Sequence, residues 1–321
     1  MSTKENSSLD RNHDRSGFGP RRLGHANLWV RDVEETNNFY RNVLGLAEVY
    51  RRPHIQGIFL SNGNTYHDIA IVDTDGPAGH GRPPGLNHLA FELENEVDLV
   101  AGYEVECERG ITFTETASHD VAHSVYLSDP DGNGVEIYAD VKSDWRELRS
   151  GVITTVEPDW KPGSTPPSQA SCYPQNPEIF EIAEAVFHPR RTASATIVCE
   201  NYEDMCRFYT EHIGLSCSIG GPNSPYAVFV GSLNLPCLVL VPAVLGRPAG
   251  LHHVSFEVSE NPYDAIRRLE ERGIELVAYL EDTQRRCVFV KDPSGLLLRF
   301  QQQELKPRGS IGPTEFEFLL A

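Results

Sequence analysis

Three apolar stretches in the N-terminal half of the chain each place a residue that can bind a metal among apolar residues. His25 lies in "GHANLWV", His88 in "GLNHLAFEL" and Glu136 in "GVEIYAD". Two imidazoles and one carboxylate form a facial set that binds a divalent metal and leaves coordination positions open. If the three stretches are strands of one sheet, the set predicts a metal site that also admits small ligands.

Each of these residues has a simpler interpretation when it is taken alone. A histidine in a strand is more often a hydrogen-bonded core residue than a ligand, and a strand glutamate usually faces solvent. Glu136 alternates with Val135 and Ile137, so its side chain and theirs lie on opposite faces of the strand. An exposed Glu136 is therefore the competing interpretation of the last stretch.

The chain contains an internal repeat that tests the metal hypothesis. Three segments of the first half return in the same order in the second half: Phe39–Leu46 as Phe208–Leu215, Gly85–Leu93 as Gly250–Val258, and Tyr126–Tyr138 as Phe289–Gln301. Each copy has about 120 residues, which is the size of a domain. On this alignment His25, His88 and Glu136 fall on Ser194, His253 and Arg299. The second copy should therefore keep the fold and lack a metal, because arginine cannot replace a carboxylate ligand.

The elements that must position these residues follow from periodicity and turn residues. We predict strands and helices in the first copy in this order: strand His25–Val30, helix at about Val33–Leu44 ending at Gly45, strands Gly57–Leu60, His67–Val72 and Leu86–Leu93, and helix at about Glu94–Arg109. A closing hairpin follows, and its Asp-Pro-Asp-Gly turn recurs in the second copy with small changes, which indicates a structural role. The pattern predicts an α+β fold with two tandem domains.

The domain organisation follows from composition. We predict a disordered polar tail at 1–21, a metal-bearing domain at 22–140, a Pro/Ser-rich linker at 141–190, a degenerate domain at 191–303 and a C-terminal tail at 304–321. The linker is expected to be extended over the surface, with a short helix in "DWRELRSG" at its start, and the C-terminal tail is a candidate lid.

Bulk properties exclude several classes of partner. The net charge of −18 argues against nucleic acid and against an anionic membrane surface, because both require clustered Lys and Arg. No apolar run approaches the roughly 18 residues of a membrane span. The seven cysteines include no Cys-x-x-Cys pair, and the first residues lack the apolar core of a signal peptide. A cytoplasmic protein with free thiols is expected.

At these residues the sequence resembles the vicinal oxygen chelate superfamily, which includes glyoxalase-like proteins. Within it, the chain is most similar to the type I extradiol ring-cleaving dioxygenases of the catechol 2,3-dioxygenase kind. The resemblance covers both copies and implies two βαβββ modules per domain, curled around a metal. It implies that His25, His88 and Glu136 are the ligands of Fe(II), with Mn(II) as the alternative ion.

The same resemblance implies three catalytic residues. His67, in "YHDIAIV", corresponds to a histidine that mediates proton transfer and helps to position O₂. His119 and Tyr126 correspond to groups that hydrogen-bond the substrate, and His123 is an alternative to His119. His253 would be the relic of a ligand, whereas His252, His54 and His80 receive no role.

The implied reaction is cleavage of a catechol by O₂ next to its two hydroxyls, giving a semialdehyde-type product. The superfamily also implies a homo-oligomer. One departure is that the better-known two-domain members carry the metal in the C-terminal domain, whereas here the ligand set is N-terminal. Two alternatives remain: a metal-dependent glyoxalase or thiol-transferase-type enzyme, and a non-catalytic protein that sequesters small molecules.

Overall fold

The computed structural model describes residues 17–155, 157–243, 248–281 and 286–302. Residues 1–16 of the predicted N-terminal tail and the whole predicted C-terminal tail lie outside the described residues. The expectation of disorder was wrong for 17–21, because two side chains there are buried against the first copy. Phe18 is 3% exposed and packs edge-on against Phe113, and Arg21 Nη1 donates to Glu92 Oε2 at 2.6 Å.

The first copy folds into two helices and nine strands. In chain order these are β1 (Arg22–Val30), α1 (Val33–Phe39), β2 (Ala47–Arg52), β3 (Gly57–Ser61), β4 (Ile69–Asp73), β5 (Gly85–Glu92), α2 (Glu96–Glu108), β6 (Glu115–Ser118), β7 (Ala122–Ser128), β8 (Gly134–Asp140) and β9 (Gly151–Val152). They form one sheet in the order β6-β7-β8-β5-β1-β4-β3-β2-β9. The strands of the three candidate ligands, β1, β5 and β8, are therefore neighbours at its centre.

The second copy repeats this arrangement. Its elements are β10 (Pro189–Cys199), α3 (Tyr202–Glu211), β11 (Ser216–Gly220), β12 (Ala227–Val230), β13 (Pro236–Pro242), β14 (Gly250–Val258), α4 (Pro262–Glu271), β15 (Leu276–Glu281), β16 (Arg286–Lys291) and β17 (Leu297–Gln302). The sheet order is β11-β12-β13-β10-β14-β17-β16-β15, which matches the first sheet strand for strand apart from β9. The expected α+β fold of two tandem domains is confirmed.

Three local features differ from the prediction. Strand β2 was missed. The first helix is α-helical only to Phe39 and continues as a π-helical turn over Tyr40–Leu44, ending as predicted at Gly45, where φ is +78°. The expected helix in "DWRELRSG" is wrong: Arg149 N donates to Trp145 O at 2.8 Å, closing a single turn. The chain then reaches Gly151 at φ +68° and leaves as β9.

The hydrogen-bonding register is the same at equivalent positions of the two sheets. In the first sheet His25 pairs with Ala90, and Ala90 pairs with Glu136. The corresponding series in the second sheet is Ser194, Ser255 and Arg299. The backbone therefore aligns the two copies as the sequence repeat does.

The two closing turns bind the opposite copy. Tyr209 OH donates to Asp129 Oδ2 at 3.0 Å, and Tyr40 OH donates to Asp292 Oδ2 at 3.1 Å. We call these two bonds the reciprocal clasps. Both tyrosines come from the repeated Phe-Tyr motif and both carboxylates from the repeated Asp-Pro turn, so the contact is isologous, as at a two-fold axis.

No helix in the described ranges is long and apolar enough to cross a membrane.

Candidate metal centre

The three candidate ligands converge on one point inside the first sheet. Glu136 Oε2 lies 3.2 Å from His25 Nε2 and 3.0 Å from His88 Nε2. One ligand atom from each residue lies within 4.8 Å of the other two. This spacing suits a single divalent ion bound by two imidazole nitrogens and one carboxylate oxygen.

Burial and charge give these atoms the protonation states that a metal requires. His25 and Glu136 are each 1% exposed, so the interpretation of Glu136 as a solvent-facing residue is wrong. Burial lowers the pKa of His25, which favours a neutral ring. Burial alone would raise the pKa of Glu136, but His25 and His88 outweigh it and hold that pKa well below its ordinary value. A neutral His25 nitrogen beside an ionised carboxylate fits a divalent cation.

Two neighbouring side chains orient the ligands. Ser124 on β7 donates its hydroxyl to Glu136 Oε1 at 2.6 Å, so the other oxygen, Oε2, faces the two histidines. Asn87 Oδ1 lies 3.2 Å from His88 Nδ1 and can accept a hydrogen bond from a protonated Nδ1, which leaves Nε2 for the metal. His25 Nδ1 has no hydrogen-bond partner among the described residues.

His67 lies directly beside the ligands, just before β4. It is 5% exposed, and its ring centre is 4.0 Å from that of His25. Burial lowers the pKa of His67 well below its ordinary value, so the ring is neutral. Tyr50 OH, from the strand that was missed, lies 3.3 Å from His67 Nδ1. The next residue, Asp68, is held in place because its Oδ2 accepts a hydrogen bond from Ser61 Oγ at 2.8 Å.

His119 and Tyr126 meet on the other side of the carboxylate. His119 Nε2 lies 2.8 Å from Tyr126 OH and 3.9 Å from Glu136 Oε1. Burial and the Glu136 carboxylate raise the pKa of Tyr126 well above its ordinary value, so the phenol keeps its proton. The ring centre of Tyr126 is 5.5 Å from that of His88. All six candidate residues therefore lie in one cluster.

His123, the alternative to His119, has different partners. Its Nδ1 lies 2.6 Å from Glu96 Oε1, and its ring stacks on Trp160 at 4.3 Å between centroids. Of the two histidines, His119 has the contact with Glu136. His54, in a 3₁₀ turn over Pro53–Ile55, and His80, in a loop, are both exposed.

The second copy does not rebuild the ligand set. Among the residues that the structure describes, His25, His88 and Glu136 are the single group of three suitable donors. His253 Nε2 lies 3.2 Å from Thr196 Oγ1 instead, and its Nδ1 lies 2.7 Å from His252 Nδ1. Arg299, at the position of Glu136, is 6% exposed.

A cavity of about 340 Å³ opens beside the centre. The described residues that line it are Asn87, His88, Thr114, Glu115, Tyr126, Leu127, Ser128, Gly134 and Val135. It therefore touches one candidate metal ligand and the tyrosine that reaches His119. Its volume is sufficient for a small aromatic ring.

Sequence reasoning missed four side chains that complete the site: Tyr50, Ser124, Arg149 and Glu157. Ser124 precedes Tyr126 by two residues, so strand alternation would have placed both on one face. Tyr50 was hidden because β2 is short and ends in two arginines. Glu157 and Arg149 come from the predicted linker, and no pattern in the sequence marks them.

Comparison with known proteins agrees with this geometry. The model of the Glyoxalase/Bleomycin resistance protein/Dioxygenase superfamily matches residues 22–137 and 191–300. Catechol-2,3-dioxygenase of Bacillus subtilis is 33% identical over 144 residues, which cover 43% of this chain and 49% of that protein. Biphenyl-2,3-diol 1,2-dioxygenase 3 of Rhodococcus globerulus is 30% identical over 153 residues, covering 44% of this chain and 78% of that protein. The match thus spans about half the length of the B. subtilis relative.

A solved structure extends the likeness to the whole fold. The 2,3-dioxygenase LapB from Pseudomonas sp. KL28 superposes with a TM-score of 0.66 at 18% identity, covering 92% of this chain and 96% of that one. At this identity the likeness concerns the fold alone. Since the superfamily model matches both copies, the chain belongs to the Glyoxalase/Bleomycin resistance protein/Dioxygenase superfamily.

Proposed function

We propose that this chain is a metal-dependent extradiol dioxygenase that cleaves a catechol next to its two hydroxyls. The observation that carries the proposal is the cluster itself. Three metal ligands lie within 4.8 Å of one another, and His67, His119 and Tyr126 surround them. The likeness to two relatives named as dioxygenases of aromatic diols supports the same activity.

His25, His88 and Glu136 would hold the metal, which we propose is Fe(II), with Mn(II) as the alternative. When bound, the ion would supply Lewis-acid and redox chemistry for a diol and O₂. The donor set suits either ion, because imidazole and carboxylate serve both.

His67 is the proposed acid–base group. Its pKa lies well below the ordinary value because the ring is buried, so at neutral pH the ring can accept a proton. Tyr50 lies beside Nδ1, which leaves Nε2 as the nitrogen available to the substrate. A neutral imidazole within reach of a bound hydroxyl can take its proton and return it later in the cycle.

Tyr126 and His119 are proposed to hold the substrate oxygen on the opposite side. The phenol of Tyr126 keeps its proton and lines the cavity beside His88, so it can donate to an oxygen that becomes negatively charged. Hydrogen bonds that strengthen as charge develops lower the barrier most where water is excluded.

The test combines metal loading with an oxygen measurement. Protein stripped with a chelator is reloaded with Fe(II) or with Mn(II) and given a panel of catechols while O₂ uptake and yellow product are recorded. We expect one O₂ consumed per ring opened. Metal-loaded protein that turns over no member of the panel would contradict the proposal, and turnover without O₂ would point to Lewis-acid chemistry instead. Glu136→Gln, which should not retain the metal, is the control.

A further inference from the structure

The predicted linker enters the site through one carboxylate. Glu157 Oε1 lies 2.7 Å from His119 Nδ1 and 3.3 Å from Arg149 Nη2, and it also accepts from Arg52 Nη1. The opposite nitrogen of the same ring, Nε2, faces Tyr126 OH at 2.8 Å. Glu157, His119 and Tyr126 therefore form one continuous line of hydrogen bonds.

For a neutral His119 ring, the chemistry of the partners gives this line a direction. An ionised carboxylate accepts hydrogen bonds and donates none, so His119 must donate through Nδ1. A neutral imidazole carries one ring proton, so Nε2 is then an acceptor. Tyr126 can then donate to Nε2 while the cavity is empty, and the same hydroxyl can turn to a substrate oxygen that becomes negatively charged.

A second linker residue holds the turn on which His119 sits. The side chain of Arg149 is 1% exposed, and its Nε donates to His119 O at 2.9 Å. The neighbouring residue, Asp120, has φ +59°, a conformation that costs free energy unless its surroundings impose it. The guanidinium also reaches Glu157, so ring and backbone of His119 are held by one pair of linker side chains.

We propose that Glu157 is a positioning residue: it holds the His119 ring with the proton on Nδ1, so that Nε2 receives the Tyr126 hydroxyl. This inference rests on the proposed function, because it assigns the line of hydrogen bonds to the dioxygenase site. It makes segment 141–190 part of the active site. It also predicts that a chain without Glu157 retains the candidate ligands His25, His88 and Glu136. The His119 ring of that chain is no longer held in one tautomer.

The first experiment compares Glu157→Ala with Glu157→Gln in the full chain. The alanine variant has no acceptor for Nδ1, and we expect kcat to fall about 10- to 100-fold with KM changed much less. The glutamine variant keeps a carbonyl oxygen that all three donors favour, so most of kcat should return. Asp159→Ala, an exposed position two residues on, is the matched control and should behave as wild type.

The second experiment reads the ring itself and needs no turnover. In metal-free protein labelled with ¹⁵N-histidine, we expect His119 to show a protonated Nδ1 and an unprotonated Nε2. The His119→Gln variant assigns the signals. Loss of Glu157 should remove this preference, whereas loss of Asp159 should leave it unchanged.

The outcomes separate this inference from the proposed function. Wild-type kcat in a folded Glu157→Ala variant, or a wild-type ring protonated on Nε2, would overturn the positioning role even if catechols are cleaved. If no catechol is cleaved, the dioxygenase proposal fails, and the ring signals still decide whether Glu157 sets the tautomer. If Glu157→Ala does not fold, the wild-type signals and the glutamine variant carry the test.

Discussion

The two copies place different side chains at the same backbone positions. Where the first sheet has His25 and Glu136, the second has Ser194 and Arg299, in the same strand register. The fold therefore does not require the candidate metal ligands, since the second copy forms the same sheet without His25 and Glu136 counterparts. What the sheet requires is its apolar layer, which both copies keep at equivalent positions such as Ile137 and Phe300.

The difference also shows how a single substitution changes the chemistry of a shared position. An interior carboxylate attracts a cation between two imidazoles, whereas an interior guanidinium repels one. The histidine that both copies keep is consequently a ligand candidate in one and hydrogen-bonded to Thr196 in the other. Four predictions test this comparison.

The largest effect is expected from removing the carboxylate of the first copy. Glu136→Gln keeps the shape but not the charge, so we expect loss of stoichiometric metal and a fall of at least about 10³-fold in ring cleavage. Arg299→Met at the equivalent position should keep one metal per chain. Metal analysis and O₂ uptake measure both. If Glu136→Gln retains the ion, the assigned ligand set is wrong.

A transfer of ligands tests whether the backbone of the second copy can hold a metal as the first copy is proposed to do. Ser194→His combined with Arg299→Glu joins His253 to form a second set of two histidines and one glutamate. We expect a second metal per chain, bound more weakly because Thr196 engages His253 Nε2. Metal titration followed by mass spectrometry counts the ions. A folded double variant with one ion would show that strand register and the three ligand types are not sufficient to form a metal site.

Acid should weaken the contacts that the linker makes with the first copy. Burial raises the pKa of Glu157, but His119, Arg52 and Arg149 outweigh it and lower the pKa from the ordinary 4.5 to about 2. A lowered pKa contributes stability that is present above pH 4.5 and is lost as the pH falls towards 2. The side chain is 22% exposed, and the contribution amounts to about 3 kcal/mol.

Chemical unfolding at a series of pH values measures this contribution. The difference in unfolding free energy between wild type and Glu157→Gln should shrink as the pH is lowered from about 4.5 to about 2. Asp159→Asn should track the wild type throughout. A difference that stays constant across this range would contradict the ion-pair assignment.

The smallest effects are expected at the reciprocal clasps. Tyr40→Phe and Tyr209→Phe each leave a turn carboxylate without its phenol donor, at a cost of about 1–2 kcal/mol. The two losses should be nearly equal, because the contacts are equivalent. Tyr263→Phe, on a residue that is 55% exposed, is the control for urea unfolding. A loss at one clasp alone would show that the two contacts are not energetically equivalent.

Much of the fold could be predicted because the chain repeats itself. The repeat aligned Glu136 with Arg299, and the strand register later gave the same pairing. The six candidate residues were predicted from types and spacing together with a family resemblance, and the structure brings them into one cluster. These strands could be predicted from the sequence because their apolar pattern is strong and turn residues mark their ends.

The remaining features depend on contacts between distant segments. Glu157 reaches His119 across 38 positions of sequence, and nothing in its own neighbourhood distinguishes it from an exposed linker acid. Phe18 was assigned to a disordered tail because its flanks are polar, yet it packs against Phe113. Strand β2 carries one inward aromatic among charged residues, so its pattern is too weak to separate it from a loop.

The reciprocal clasps give the molecule the character of a dimer contained in one chain. The aspartate of each Asp-Pro turn accepts its hydrogen bond from a tyrosine of the other copy. A single copy by itself would therefore leave both its tyrosine and its aspartate without these partners. The copy without the candidate ligand set thus still serves as the structural mate of the copy that carries it. This mutual dependence gives the Phe-Tyr and Asp-Pro motifs a structural role in both copies, whereas the candidate metal ligands are a feature of the first.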